Sequence, residues 1–239
     1  MLYDRPPRMT GRGSGTRLDQ RRARTRAALI GAARTLLVVR DAEEVSVQEI
    51  TDAADVGFGT FYNHFSSKQQ LFAAALDQVA EEHAAMLEKV TAEMADPAEA
   101  VAVVVRVTAR LLRWRPETAR VIDRAGVRYL TPASGPVLVL LRHLRAAEQA
   151  GRLAVGEAEL DIACVAGMLL GVLHLGLTDG REFDIERAAD GLAVNALRMF
   201  GMPEQDARAV VARPLPPIPW AAPAGPAAVA GRCAVPKEI

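Results

Sequence analysis

Between residues 57 and 71 one short stretch carries three kinds of side chain in a regular order. Phe58, Phe61 and Phe65 recur at i, i+3 and i+7, which is one face of a helix. Thr60, Tyr62, Asn63 and His64 turn away from that face, as does the bare backbone of Gly59. Hydroxyl, amide and imidazole groups hydrogen-bond to phosphate oxygens and to base edges without bulk charge. Lys68 follows at the start of the next helix, where a cation beside unpaired backbone N–H groups suits a phosphate. The chemistry on offer is recognition of double-stranded DNA. Phe58 has two readings of equal standing: it faces outward, or it joins Phe61 and Phe65 in the core.

Nothing in the chain sets up a competing chemistry. Cys164 and Cys233 are the only cysteines and form no CxxC pair, so neither a disulfide framework nor a zinc set is expected. His64, His83, His143 and His174 have no close-spaced partner. There is no nucleophile–base spacing and no phosphate loop, so no catalytic residue, metal or cofactor is expected. An enzyme built around His174, Cys164 or Asp161 is the weaker alternative, and a helical protein–protein adaptor with a vestigial DNA motif is another. The formal net charge of zero hides a segregation. Residues 1–40 hold ten arginines against Asp4 and Asp19, whereas residues 41–100 hold thirteen acids against Lys68 and Lys89. Yet no acid falls between Phe58 and Lys68. A basic amino-terminal block beside this motif points to phosphates as its partner, with Arg21, Arg22 and Arg24 the nearest candidates.

The elements that must hold these groups are helical throughout, so the fold class is all-α. A first helix runs from Leu18 to Val39. The second starts at Ser46, where Ser46 and Glu49 make a capping box. Ser46 and Gln48 sit where they can meet the DNA backbone. A break at residues 55–57 leads into a short helix from Phe58 to about Phe65. Two short helices joined by a tight turn, after a basic helix, are the layout of a helix-turn-helix reader. Further helices are expected from just after Ser66 and Ser67 towards Met94, from Asp96 to Trp114 or Arg115, and over 117–129 with an interruption at Gly126. Others follow over 136–151, 157–178 and 184–200, with a weak one to Ala212. The chain thus divides into a flexible basic arm (1–17), an N-terminal three-helix DNA-binding domain (18–68), a larger helical effector-binding and dimerisation domain (69–212) and a Pro/Ala-rich disordered tail (213–239). The apolar run 162–177 is short for a membrane span of about 20 residues and reads as a buried core helix, so no membrane partner is expected.

From Ser46 to Leu71 the sequence resembles the DNA-binding signature of the tetracycline-repressor family, most diagnostically over Gly59 to Phe65 with Ser67, Lys68 and Leu71. That resemblance covers residues 18–71. It implies that Thr60, Tyr62, His64 and Lys68 touch DNA, mostly at phosphates, and that Phe58 and Gly59 lie near base edges. It further implies a palindromic operator, a homodimer, a repressor released by a small-molecule effector, and a cytoplasmic, nucleoid-associated location. Two positions depart from the pattern. Asp55 stands where the family commonly has a turn glycine, and Gly57 where it commonly has a Ser or Thr cap. Asp tolerates the left-handed conformation that such a turn requires.

The rest of the chain is read from its stripes. Ala163, Gly167 and Gly171 recur every four residues on one helix face, a spacing that admits close helix approach. Ile185, Ala189, Leu192, Ala196 and Met199 make a matching stripe on the next helix. A dimer through both helices is expected, with Ala163, Gly167, Gly171, Leu192, Ala196 and Met199 at the interface. Met86, Thr108, Leu111, Trp114, Tyr129 and Met168 are candidates to line a pocket for a largely apolar effector, although they equally suit a solid core. Arg106, Arg110 and Arg113 share a face that either greets an anionic effector or is simply solvated. Cys164 is expected to be buried, and His174 to be a hydrogen-bonded core or interface residue.

Overall fold

The computed structural model describes residues 17–130, 134–178 and 183–218, which divide into two compact units after Leu76. Most of the basic arm, the far part of the tail, Trp220 and Cys233 therefore lie outside the described residues.

The first unit holds α1 (Arg17–Val39), α2 (Val47–Ala53), α3 (Phe58–Tyr62) and the opening of α4 (Lys68–Thr91). α2 starts where the capping box places it. The Ser46 hydroxyl accepts from the Glu49 backbone N–H at 3.2 Å, and the Glu49 carboxylate accepts from the Ser46 N–H at 2.8 Å. Reciprocal satisfaction of two orphan donors fixes where the helix begins. The turn after α2 is made by Asp55 at φ +52°, the single positive-φ residue other than glycine among the described residues. Gly57 then caps α3 with no side-chain acceptor. Leu29, Ala33, Ile50, Phe61, Phe65 and Leu71 are buried together as the core of this unit.

The second unit is organised around α5 (Pro97–Ala109), in which every residue but Pro97 and Glu99 is buried. A helix that is apolar all round belongs in the middle. The end of α4, α8 (Gly135–Gln149), α9 (Ala158–Thr178), α10 (Ile185–Met199) and α11 (Glu204–Val211) complete the bundle, with α10 making the most extensive packing on α5. The segment 97–114, expected as one helix, breaks at Arg110 into α5 and the single turn α6 (Leu111–Trp114). α7 (Pro116–Ala125) ends at Gly126, whose φ of +53° combined with a ψ of −132° only glycine adopts easily, and a 3-10 turn runs on to Leu130.

Several expectations are corrected here. Arg106 and Arg110 are neither solvated nor free for an anion. Arg106 Nε donates to Asp190 Oδ1 at 2.8 Å, and Arg110 Nη2 donates to the same oxygen at 2.9 Å. Arg110 also bonds Glu186, and Arg113 reaches that carboxylate at 3.2 Å. Leu192 and Ala196, expected at a dimer interface, are buried inside the chain's own core, as are Ile185 and Ala189. Cys164 is exposed, not buried. His174 is hydrogen-bonded as expected, with Nδ1 3.1 Å from Asp123 Oδ1, but it is exposed, so only the core alternative falls. The segment 213–218 has no helix but is docked: Leu215 and Ile218 pack against the core, and Arg213 pairs with Asp96 and Glu99.

α9 is also not the fully buried helix its composition suggests. Its 21 residues are long and apolar enough to cross a membrane, yet only 28% of the most apolar window is buried. One side packs on α5, α7, α8 and α10. The other side leaves Leu160, Ala163, Cys164, Gly167, Gly171 and Leu175 exposed.

Candidate functional site

The first unit presents one surface suited to DNA. Phe61 and Phe65 are 0% and 2% exposed, and they seat α3 on α1 and α2. Phe58 is 48% exposed, so of its two readings the structure takes the outward one. Its ring meets Tyr62 edge-on at 5.8 Å, and Tyr62 in turn meets Phe61 at 5.2 Å. This stacking fixes the outward-facing Tyr62, which is 56% exposed, against a buried anchor. Gly59 and Asn63 are exposed, and Thr60 and His64 are half-buried. Gly59 has open space where a Cβ would stand.

Charge around this helix comes from α1. Arg21, Arg22 and Arg24 are exposed. Burial, followed by the nearby positive charges of Arg22 and Arg26, holds the His64 imidazole below its ordinary pKa. Arg26, which the sequence reading passed over, lies 5.0 Å over the Phe65 ring. The i+4 step from Arg22 was the signal available. Lys68 has a structural duty beyond the one expected of it. Its Nζ donates to the carbonyls of Glu43 at 2.8 Å and Val45 at 3.0 Å, tying α4 to the segment that leads into α2. An ammonium has three protons, so one remains for a phosphate. Ser46 is exposed but its hydroxyl serves the capping box, and Gln48 Nε2 donates to Asp52 Oδ1 at 2.7 Å.

The second unit holds a partly open cavity with about 40 Å³ of free space, built by the end of α4, α5, α7, the 3-10 turn, α8 and α9. Its wall is apolar except at three residues: His83, Thr108 and Tyr129. Thr108 and Tyr129 were candidates from the sequence. Met86, Leu111, Trp114 and Met168 were too, but they do not border this cavity. Met86 and Leu111 are buried elsewhere, while Trp114 and Met168 are half-buried against the core.

His83 is the residue that the sequence reading missed. It is 1% exposed, with Nδ1 2.9 Å from the Tyr129 hydroxyl and Nε2 3.1 Å from the Thr108 hydroxyl. Burial drives its pKa down to about 3 and pushes that of Tyr129 up. At neutral pH the triad is therefore uncharged. The signal was present in α4, where Val79, His83, Met86 and Val90 share one face; a histidine on an apolar stripe must find partners inside.

Similarity to known proteins follows the same division. The model of bacterial regulatory proteins of the tetR family matches residues 29–75, and that of the tetracyclin repressor-like C-terminal domain matches residues 96–213. The solved structure of RolR in complex with resorcinol is 30% identical, covers 84% of this chain and 99% of that one, and superposes with a TM-score of 0.62. RolR without ligand gives 30% identity, coverage of 81% and 99%, and a TM-score of 0.68. SmeT, the repressor of a Stenotrophomonas maltophilia multidrug efflux pump, shares the fold at 19% identity, coverage of 74% and 92%, and a TM-score of 0.59. Among curated protein sequences none matches.

Proposed function

The chain belongs to the tetR family of bacterial regulatory proteins, ligand-responsive DNA-binding regulators of transcription, and from that premise we propose that it acts as a homodimeric repressor of a palindromic operator. The observation that carries the reading is α3. Its outward face holds Phe58, Gly59, Tyr62 and Asn63, with no carboxylate, over an anchor of fully buried aromatics. Tyr62, Thr60, His64 and the spare Lys68 proton suit phosphates, and Phe58 and Gly59 suit base edges. Arg21, Arg22 and Arg24 supply the long-range attraction.

Dimerisation runs through α9 in this proposal. Its outer face is apolar and exposed, a combination that marks an interaction surface. A Cβ added at Gly167 or Gly171 would meet nothing within the chain, so these glycines have no internal packing reason. Close approach of a second copy supplies one. Met199, 40% exposed at the end of α10, belongs to the same interface, whereas Leu192 and Ala196 do not. Two-fold symmetry then places two recognition helices on half-sites about 34–36 Å apart or a multiple of that.

The effector enters the cavity of the second unit. α4 carries both Lys68 and His83, so a ligand at His83 acts on the helix whose first residue braces the approach to α2. Release requires the ligand to favour one conformation of the dimer over the other. The protein works in the cytoplasm, on the nucleoid. Footprinting on the DNA that flanks its own gene, together with selection from random oligonucleotides, tests the reading. Protection of a palindrome that weakens steeply with salt is expected. Absence of sequence-selective, salt-sensitive binding in both experiments overturns it.

A further inference from the structure

The proton count of the buried triad restricts what the cavity can hold. A neutral imidazole has one N–H and one bare nitrogen, and Tyr129 and Thr108 bring one O–H each. Three donor protons therefore face two hydrogen bonds. If Nδ1 carries the proton and donates to Tyr129, Thr108 donates to Nε2 and the Tyr129 proton is left over. If Nε2 carries it and donates to Thr108, Tyr129 donates to Nδ1 and the Thr108 proton is left over. Neither hydroxyl has another hydrogen-bond partner among the described residues. In both tautomers one O–H is spare, and the hydroxyl oxygens keep unused lone pairs. An unpaired donor in so apolar a setting is unfavourable, which makes the site selective for a group that both accepts and donates.

The rest of the wall sets charge and size. Twelve of the fifteen lining residues are apolar and none is charged, so neither a carboxylate nor an ammonium would find a counter-ion. A free space of about 40 Å³ exceeds what one water needs but is well below the ~150 Å³ in which an apolar cavity accepts benzene. A single ring fits only if the walls part. A long acyl chain would demand far more rearrangement.

We propose that the effector is an uncharged, single-ring compound bearing a hydroxyl, of the phenol class, held by the Tyr129–His83–Thr108 chain. The hydroxyl accepts the spare proton and donates to a free lone pair, and the ring presses the apolar walls apart. This rests on the reading that the cavity is the effector site. The imidazole adjusts its tautomer to whichever hydroxyl the ligand engages, so His83 is a positioning residue and Tyr129 or Thr108 makes the contact.

The test uses the full chain and three probes of similar ring size: phenol, toluene and benzoate. Calorimetry reads binding, and fluorescence anisotropy of bound operator DNA reads release. Phenol is expected to bind about tenfold or more tightly than toluene, with benzoate not binding. Thr108→Val and Tyr129→Phe should each weaken phenol while leaving toluene unchanged. Should either variant fail to fold, the three-probe comparison on the unaltered protein still decides. Toluene binding as well as phenol, benzoate binding more tightly, or no phenol binding at millimolar concentration overturns the proposal. Phenol binding that depends on the two hydroxyls but leaves operator affinity unchanged supports the site chemistry and refutes the effector reading instead.

Discussion

A single buried imidazole should give this protein a measurable sensitivity to mild acid. His83 is 1% exposed, and burial lowers its pKa to about 3 from an ordinary value of 6.5. The folded chain therefore refuses a proton that the unfolded chain accepts. Stability from this residue is fully present above pH 6.5 and falls as pH drops towards 3. At pH 5 the unfolded state has gained about 1.5 pH units of binding free energy that the folded state has not. At about 1.36 kcal/mol per unit this is roughly 2 kcal/mol. His83→Gln keeps an amide donor and acceptor for the two hydroxyls but cannot titrate. Urea unfolding of both proteins at pH 7 and pH 5, at one protein concentration, should show the native chain losing about 2 kcal/mol more than the variant. His143, which burial also shifts downward, contributes in the same direction in both proteins and cancels. Glu49, held near a pKa of about 2 chiefly by the Ser46 N–H, keeps its charge throughout this window. An equal loss in the two proteins would refute the reasoning. So would an imidazole NMR signal for His83 that titrates with a midpoint near 6.

Packing and charge elsewhere in the chain lead to further outcomes. Phe58→Ala should lower operator affinity with little change in melting temperature, because the ring is half exposed, whereas Phe61→Ala should cost about 3–5 kcal/mol of stability in thermal or urea melts. Arg22→Ala and Arg24→Ala should each flatten the log–log dependence of operator affinity on salt by about 1.8, as expected for one lost phosphate contact in each of two subunits. Gly135→Ala should destabilise the fold by roughly 1–3 kcal/mol, since its Cβ would stand 2.7 Å from Ala84 Cβ, which has no rotamer to escape by, while Gly167→Arg should leave the subunit folded and convert the proposed dimer to a monomer in sedimentation.

The parts of this protein that the sequence made legible are those built from near neighbours. Ser46 and Glu49 are three residues apart and state the start of α2 outright. Asp55 marks the turn because few other side chains accept a left-handed backbone. The carboxylate-free surface proposed to meet DNA lies within one short helix, so composition and position together suffice to mark it. The cavity is the opposite case. His83 is separated from Thr108 by 25 residues and from Tyr129 by 46, and only the packing of α4 on α5 and the 3-10 turn brings them together. Periodicity has a related limit. The stripe of Leu192 and Ala196 correctly marks a buried face of α10 but does not say what buries it, and α5 of the same chain does so. Arg106 and Arg110 read as surface charge because arginine is rarely buried without a partner. Their partners, Glu186 and Asp190, lie 76 to 84 residues away.

The small size of the cavity bears on whether so slight a ligand can throw a genetic switch. Moving a two-state equilibrium from 1:99 to 99:1 takes a differential affinity of about 5.5 kcal/mol. A phenol has roughly seven heavy atoms, and at a ceiling of about 1.5 kcal/mol per atom it can supply at most ~10 kcal/mol. More than half of the attainable binding energy must therefore discriminate between the two conformations. A roomy, preformed pocket would waste that energy by binding both states alike. A cavity of about 40 Å³ does not, because the ring cannot enter until the walls have parted. If a phenol is the effector, tightness in the ligand-free state is what makes one ring sufficient. A substitution that enlarges the space, such as Leu140→Ala, should bind phenol more tightly yet release DNA less completely. Calorimetry and operator anisotropy on that variant measure the two quantities together. Tighter binding accompanied by fuller release would show that the energy of opening the cavity is not what drives the switch.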